Sequence, residues 1–230
     1  MKIDSDQWRQ TVITGALAMG VTVSVDQARA MQRHARELLQ WNRTTNLTAI
    51  TDPLQVAVKH YVDALAAVSR ISDGARILDA GSGGGFPGIP LKIVRPDLSV
   101  TLVDSVRKKV SFLKYAVRTL SLSGINAVHG RLEDLGRLPP YRRRFDLVVC
   151  RAFSSLDDFA KLTRPFLSPG GSLLAMKGPQ ANHAHETENR KDGGAIILGG
   201  TSFSMHIDRY RLPVLDARRR LVWLTPVSEV

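Results

Sequence analysis

Ile77-Leu78-Asp79-Ala80-Gly81-Ser82-Gly83-Gly84-Gly85-Phe86-Pro87-Gly88 is the stretch on which the fold of this 230-residue chain turns. An apolar run ends at an acid, and five glycines follow in the eight positions 81–88. A merely tight turn does not need so many. Glycines in this density let a chain leave a strand, turn sharply and bring its backbone close to a ligand before a helix begins. Further strand-like runs lie at Arg76–Ala80, Val100–Val103, Ala127–His129, Phe145–Cys150 and Ser172–Met176, with helical stretches between them at Ser105–Leu122 and Ser155–Leu167. This alternation predicts an α/β fold built of right-handed βαβ crossovers, a mostly parallel sheet with helices on both faces. Thr201–Asp208 and Leu221–Pro226 have no helix between them, and Pro213 and Asp216 lie in their connection, so they read as an antiparallel pair at a sheet edge. Sheets of this class bind ligands beyond the carboxyl ends of their strands.

Two ligand readings fit the loop. Gly83, Gly85 and Gly88 match the dinucleotide fingerprint G-x-G-x-x-G, which is weak by itself. Asp79, Gly81, Gly83 and Gly85 match D-x-G-x-G-x-G, the pattern typical of S-adenosylmethionine (AdoMet) methyltransferases, so Gly81 and Gly83 are cofactor-binding candidates. The next strand ends in Asp104, 23 residues after Gly81, where a carboxylate accepts hydrogen bonds from both ribose hydroxyls in either class. Asp104 as a simple helix N-cap is the competing view. In this fold the loop at His129-Gly130-Arg131-Leu132-Glu133-Asp134 reaches the adenine, with Leu132 as an apolar wall and Glu133 as a polar anchor or a solvated acid. Hydride transfer would need a separate substrate domain and a proton-transfer residue, for which the chain after Asp79 leaves little room. The terminal antiparallel pair also suits a methyltransferase sheet better. The expected fold is a Rossmann-like class I AdoMet-dependent methyltransferase. A binding module that kept the fold without the activity would show a damaged loop or lack Asp104, and both are intact.

Composition narrows the partner. The chain carries 32 Lys and Arg against 21 Asp and Glu, a formal net charge of +11. Residues 1–74 hold eight basic and seven acidic residues, so 24 basic and 14 acidic residues, a net +10, fall in 75–230. A basic catalytic part favours nucleic acid over a small-molecule acceptor. Three clusters stand out: Arg107-Lys108-Lys109 with Lys114 and Arg118; Arg142-Arg143-Arg144; and Arg209, Arg211 and Arg218-Arg219-Arg220. All three are expected to flank the nucleotide site. Aromatics make up only 6% of the chain, so stacking on single strands is secondary to phosphate contacts. The lone cysteine, Cys150, excludes an internal disulfide and reads as buried core.

Residues 1–74 read as an N-terminal helical extension and 75–230 as the catalytic domain. Val12–Val25 imitates a targeting signal, yet Asp4 and Asp6 spoil its charged flank and no run reaches a membrane span. A cytoplasmic protein without membrane attachment is expected. Ser24 and Gln27 form a capping box for a helix from about Val25. Asp52 and Pro53 start another, running through Val56, His60 and Ala64 to about Ser69. His60 and Asp63, three residues apart on one face, read as packing and hydrogen-bonding groups, since no further metal ligands accompany them. Asn46 to Thr48 reads as a structured turn or part of an acceptor entrance.

On Asn46-Leu47-Thr48-Ala49-Ile50, His60-Tyr61-Val62-Asp63-Ala64-Leu65, Asp79 through Leu91, Asp104-Ser105 with Phe112-Leu113, Arg151-Ala152-Phe153 and Met176-Lys177-Gly178, the chain resembles the RsmG (GidB) family of bacterial small-subunit ribosomal RNA guanine-N7 methyltransferases. Gly85-Phe86-Pro87-Gly88-Ile89-Pro90 is the most specific segment; generic methyltransferases do not share it. The resemblance covers about residues 41–178. It implies AdoMet as methyl donor with no metal, small-subunit (16S) ribosomal RNA or a subunit assembly particle as partner, and a cytoplasmic monomer. By position it carries cofactor binding onto Gly81, Phe86, Leu132, Glu133 and Arg151, and places Lys177 near the active site. Residues 179–200 match less well, and Ala64 stands where the family often has serine.

The implied chemistry accounts for what the sequence lacks. Guanine N7 has a free lone pair, so in-line displacement of the methyl group needs no general base, and none is evident. Alignment is then the main catalytic device, with effective molarities of about 10⁵ M or more within reach. Arg151 and Lys177 are the candidate catalytic residues, as donors to guanine O6 or to the AdoMet carboxylate.

Overall fold

The computed structural model describes residues 1–151, 155–178 and 194–227. Five strands, β1 (Arg76–Ala80), β2 (Ser99–Asp104), β3 (Ile125–His129), β4 (Phe145–Cys150) and β5 (Leu167–Lys177), pair in parallel in the order β3-β2-β1-β4-β5. Beyond β5 the sheet continues β8-β7-β6, with β6 (Ala195–Leu198), β7 (Thr201–Leu212) and β8 (Ala217–Pro226) all antiparallel to their neighbours. The expected antiparallel pair is therefore β7 and β8, longer at their joined ends than the sequence suggested. β6, an apolar Ala195-Ile196-Ile197-Leu198 run inside the poorly matching segment, adds an edge strand that was not expected. Strand order reverses between β1 and β4, which puts the ligand crevice above that junction.

Side chains alternate across the sheet with a period of two, and each face has its own core. Ile77, Leu102, Val149 and Leu174 face one layer; Leu78, Val103, Val148 and Leu173 face the other. The first layer is covered by α1 (Asp6–Ala18), α2 (Val25–Thr45), α3 (Pro53–Val56), α4 (Asp63–Leu65), α5 (Gly88–Val94) and α6 (Arg107–Thr119). The second is covered by α7 (Leu132–Leu135) and α8 (Leu156–Thr163). Cys150 is buried in this second layer.

The N-terminal helices are part of the main core. Trp8, Met31, Leu38 and Tyr61 are fully buried in the same cluster as Ile77 and Val149. The Trp8 indole also donates to the Pro53 carbonyl at 3.0 Å. Ser24 and Gln27 form the expected reciprocal capping box, and Asp52 accepts from the Gln55 N–H. Between α3 and α4 the chain winds more loosely, as a π-helix over Ala57–Val62. Such insertions redirect backbone carbonyls and recur at functional sites. The helix expected to reach Ser69 ends at Leu65, and a single 3₁₀ turn follows at Val68–Arg70. Pro165 ends α8 early in the same way, leaving a 3₁₀ turn at Arg164–Phe166.

Candidate active site

The glycine loop is bound to the end of β2. Gly81 and Ser82 both donate their N–H groups to the Val103 carbonyl at 2.9 Å, and Gly83 donates to Asp104 Oδ2 at 3.0 Å. Asp104 Oδ1 accepts from Val106 at 2.8 Å, at the entrance to α6. Each carboxylate oxygen thus takes one backbone N–H and keeps acceptor capacity for a ligand. Gly81, Gly83 and Gly85 have φ of +75°, +54° and +89°, a region where side chains cost about 1–2 kcal/mol.

The glycines divide by what surrounds them. A Cβ on Gly81 would meet none of the described residues within 4 Å, so that position opens onto free space among them. A Cβ on Gly88 would lie 2.4 Å from Leu102 Cδ2 and 2.8 Å from Asp79 Oδ2, so that position is closed by the fold itself. Asp79 is fully buried. Its Oδ2 accepts from the Gly88 N–H at 2.8 Å and its Oδ1 has no partner among the described residues, and burial pushes its pKa up to about 7.

The free space is a cavity of about 350 Å³ beyond the carboxyl ends of β1, β2 and β3, lined by Gly81, Asp104, Val106, Lys109, Leu132 and Glu133 among others. It brings together four of the sequence-derived candidates: Gly81, Asp104, Leu132 and Glu133. Leu132 is buried as the expected apolar wall position, and Glu133 is exposed at the start of α7. Gly83 stands behind them, fastened to Asp104. Val106 and Lys109 were not singled out as cavity residues. A larger open groove, about 640 Å³, lies between Arg76, Ser99, Asn126 and Arg144 at the amino ends of the strands. Size does not select the site. The carboxyl-end cavity holds the loop and the acid, and the fold places ligands there.

Phe86, Arg151 and Lys177 are not in that cavity. They occupy the other side of the loop, toward β4 and β5. Phe86 is 7% exposed, stacked on His60 at 4.4 Å between centroids, with Arg151 Cζ 5.8 Å from its ring centre. Arg151 Nη2 donates to the Lys59 carbonyl at 2.5 Å, in the π-helical turn, and to Asp63 Oδ2 at 3.1 Å. Asp63 also accepts from Tyr210 Oη at 2.7 Å and lies 3.5 Å from Arg219 Nε. The reading of Asp63 as a hydrogen-bonding group holds, but nothing in the local sequence signals its partners on β7 and β8. Lys177 is 9% exposed at the end of β5, opposite Arg220 on β8. Ala152 and Phe153 lie outside the described residues, as do 179–193.

His60 is a packing group here. Its Nε2 lies 2.8 Å from Thr48 Oγ1, and burial, reinforced by Arg151, lowers its pKa to about 3, so the ring is neutral. His34 is also held neutral by burial, and its Nδ1 meets Tyr61 Oη at 2.9 Å. Asn42 fixes the neighbouring turn by accepting from Leu47 and Thr48 N–H at 2.7 and 2.9 Å. Asn46 to Thr48 is therefore a structured turn, and it lies against the glycine loop: a Cβ on Gly83 would be 3.9 Å from the Leu47 carbonyl.

The basic clusters do not all flank the site. Arg142-Arg143-Arg144 immediately precede β4 and so lie at the amino end of the sheet, the end away from the cavity. Sequence proximity to β4 concealed which end they occupy. Arg107–Lys109 open α6 just after β2, at the cavity end. The β7–β8 hairpin also reaches the cavity end, since Lys177 pairs with Arg220 and Arg220 with Arg209. There Arg209 opposes Arg220 and Arg211 opposes Arg218 across the strands. Like charges placed opposite destabilise a sheet, and Asp216 pairs with Arg211. That arrangement is suited to a polyanion. Among the described residues no group of three or more His, Cys, Asp or Glu could hold a metal ion, and no helix is long and apolar enough to cross a membrane.

The GidB family, rRNA small subunit methyltransferase G, matches residues 27–196. A ribosomal RNA small subunit methyltransferase G of Leptothrix cholodnii is 40% identical, covering 96% of this chain and 96% of its own. One of Geobacter sulfurreducens is 40% identical, covering 90% of this chain and 93% of its own. The crystal structure of the O-methyltransferase TomG from Streptomyces achromogenes, in complex with SAM, shares the fold with a TM-score of 0.55 at 16% identity, over 84% of this chain and 89% of that one.

Proposed function

The chain belongs to the rRNA small subunit methyltransferase G family, and from that membership we propose that it transfers a methyl group from AdoMet to N7 of a guanine in small-subunit (16S) ribosomal RNA. It does so as a cytoplasmic monomer, with residues 1–74 as a helical extension that shapes the acceptor side. The observation that carries the reading is the Asp104 carboxylate, fixed by Gly83 and Val106 beside an open Gly81.

The residues fit the cofactor. Asp104 keeps acceptor capacity on both oxygens for ribose hydroxyls, Leu132 supplies an apolar surface for a flat base, and Gly81 leaves room that any side chain would take. When bound, AdoMet supplies an electrophilic methyl group on a sulfonium. The protein's share of the chemistry is placement. The strand order reverses between β1 and β4, and with the cofactor over β1 to β3 we read the acceptor side as lying above β4 and β5, where Arg151 and Lys177 are candidates to donate to guanine O6 or to the cofactor carboxylate. N7 needs no deprotonation, and the neutral His60, engaged with Thr48 and stacked on Phe86, serves packing. The arginines of the β7–β8 hairpin and Arg107–Lys109 carry the phosphates of the RNA.

The test is incubation with labelled AdoMet and either deproteinised 16S RNA or small subunits, followed by mass spectrometry of the digested RNA. N7-methylguanosine from one of them is the expected product. Its absence from both would overturn the assignment.

A further inference from the structure

We propose that Asp63 is the positioning residue for Arg151, and that Tyr210 and Arg219 on the edge strands fix Asp63 in turn. The inference rests on the reading that Arg151 serves the methyl-transfer site.

Four elements converge on this carboxylate. Asp63 begins α4 just after the π-helical turn, and it is 3% exposed. Its two oxygens have separate duties. Oδ2 accepts from Arg151 Nη2 at 3.1 Å, while Oδ1 accepts from Tyr210 Oη at 2.7 Å and faces Arg219 Nε at 3.5 Å. The Oδ1 contacts stop the carboxylate from rotating about its own bond. With rotation stopped, Oδ2 and the Lys59 carbonyl, 2.5 Å from the same Nη2, set the plane of the Arg151 guanidinium. Nη1 reaches the His60 carbonyl only at 3.5 Å. A guanidinium has five N–H donors in a rigid fork, so these contacts leave Nε and part of Nη1 uncommitted among the described residues. Those donors stand beside Phe86 at the exit of the glycine loop.

The partners suit a fixed clamp rather than a titrating switch. Tyr210 is held as a neutral phenol, first by burial and then by the Asp63 charge, so it remains a donor. Lys59 Nζ is committed to Gln55 at 2.7 Å, and the His60 ring faces Thr48 and Phe86. Removing one partner of a buried charge pair leaves the other with an uncompensated environment, so loss of Asp63 changes the direction in which Arg151 points as well as the fold's stability.

A double-mutant cycle separates the two effects, because residues that act through one another show non-additive changes. Asp63→Asn, Tyr210→Phe and Arg151→Ala are made singly and in pairs. AdoMet affinity is measured by calorimetry, kcat and KM on small subunits by label transfer, and the melting temperature on cofactor-free protein. In whichever of these ligand quantities Arg151→Ala changes, Asp63→Asn, which alters the direct contact to Arg151, is expected to cause a loss of about tenfold, and Tyr210→Phe, which reaches Arg151 only through Asp63, about threefold. In the Arg151→Ala background both losses should fall below twofold. Additive losses there would show that Asp63 acts through stability alone and would overturn the inference. So would a silent Asp63→Asn beside a damaging Arg151→Ala, which leaves the proposed function standing. If Arg151→Ala changes neither AdoMet affinity nor turnover, its role in the proposed function and this inference fall together. Should Asp63→Asn not fold, Tyr210→Phe, which removes one hydroxyl, decides the cycle by the same criteria.

Discussion

Gly83 donates its backbone N–H to Asp104 Oδ2 at 3.0 Å, so the turn after β1 is held by the acid that ends β2. The bond makes one object of two motifs 21 residues apart. It also fixes the carboxylate before any ligand arrives, which lowers the ordering cost of binding. Asp104→Asn keeps an acceptor but removes the charge and turns one oxygen into a donor. Hydrogen bonds to charged groups are worth about 1.5–3 kcal/mol, so AdoMet binding should weaken by roughly ten- to a hundredfold. Calorimetry on folded variant protein checks this. An unchanged dissociation constant would remove Asp104 from the cofactor site.

Gly81 and Gly88 predict opposite failures. Gly81→Asp places a side chain in open space at a cost of about 1–2 kcal/mol for its φ of +75°, so the protein should fold. The added carboxylate fills the cavity mouth, and AdoMet binding should be abolished. Gly88→Ala instead drives a methyl into Leu102 and Asp79, and should lower the melting temperature before any ligand is considered. Circular dichroism and calorimetry on both variants decide it. A Gly81→Asp protein that binds AdoMet normally would refute the loop assignment.

The sheet and the gathering of Gly81, Asp104, Leu132 and Glu133 around one cavity were legible because their signals are local. A strand, five glycines and an acid at the end of the next strand are written consecutively, and the capping residues Ser24 and Asp52 act on neighbours three residues away. What stayed hidden depends on distant pairing. The Tyr210 and Asp63 bond spans 147 residues, and no periodicity announces it. Whether Arg142–Arg144 stand at the cavity end depends on the direction in which β4 runs in the sheet, which charge counting ignores. β6 was missed because four residues carry too little pattern, and it is an edge strand paired on one side only. The start of β5 was misplaced by five residues: Leu167 pairs with Phe145, then the register jumps to Ser172 and Leu147 across Pro169-Gly170-Gly171.

Asp79 gives a pH dependence with a definite sign. Its folded pKa, raised to about 7 by burial, lies above the ordinary carboxylate value, so the folded state holds the proton more tightly than the unfolded chain. The stability this contributes is complete below about pH 4 and is lost as pH rises through 7. Asp79→Asn lacks the group and keeps an acceptor for the Gly88 N–H. The melting temperature of the cofactor-free variant minus that of the parent should therefore grow between pH 5 and pH 8. His34 and His60 are present in both proteins and cancel in the difference. Parallel curves would show that Asp79 does not titrate in this range.

The two ends of the sheet predict different roles for its arginines. Arg209 and Arg218 are exposed at the cavity end, and neither has a carboxylate partner among the described residues. Each opposes another arginine across the strand, a concentration of positive charge that approaching phosphates would relieve. If about five phosphates are neutralised, log K for RNA should fall with log salt at a slope near −3.5. Arg209→Ala with Arg218→Ala removes two of these contacts and should flatten the slope by about 1.4, the value for two single-strand phosphates. Arg142→Ala with Arg143→Ala and Arg144→Ala removes more charge, but at the amino end of the strands, so the slope and the methylation rate should stay close to those of the parent. Filter binding of 16S RNA across a salt series compares three proteins: parent, hairpin variant and amino-end variant. A slope that responds to Arg142–Arg144 and ignores the hairpin would place the RNA around the far end of the sheet and remove the β7–β8 arginines from the acceptor surface.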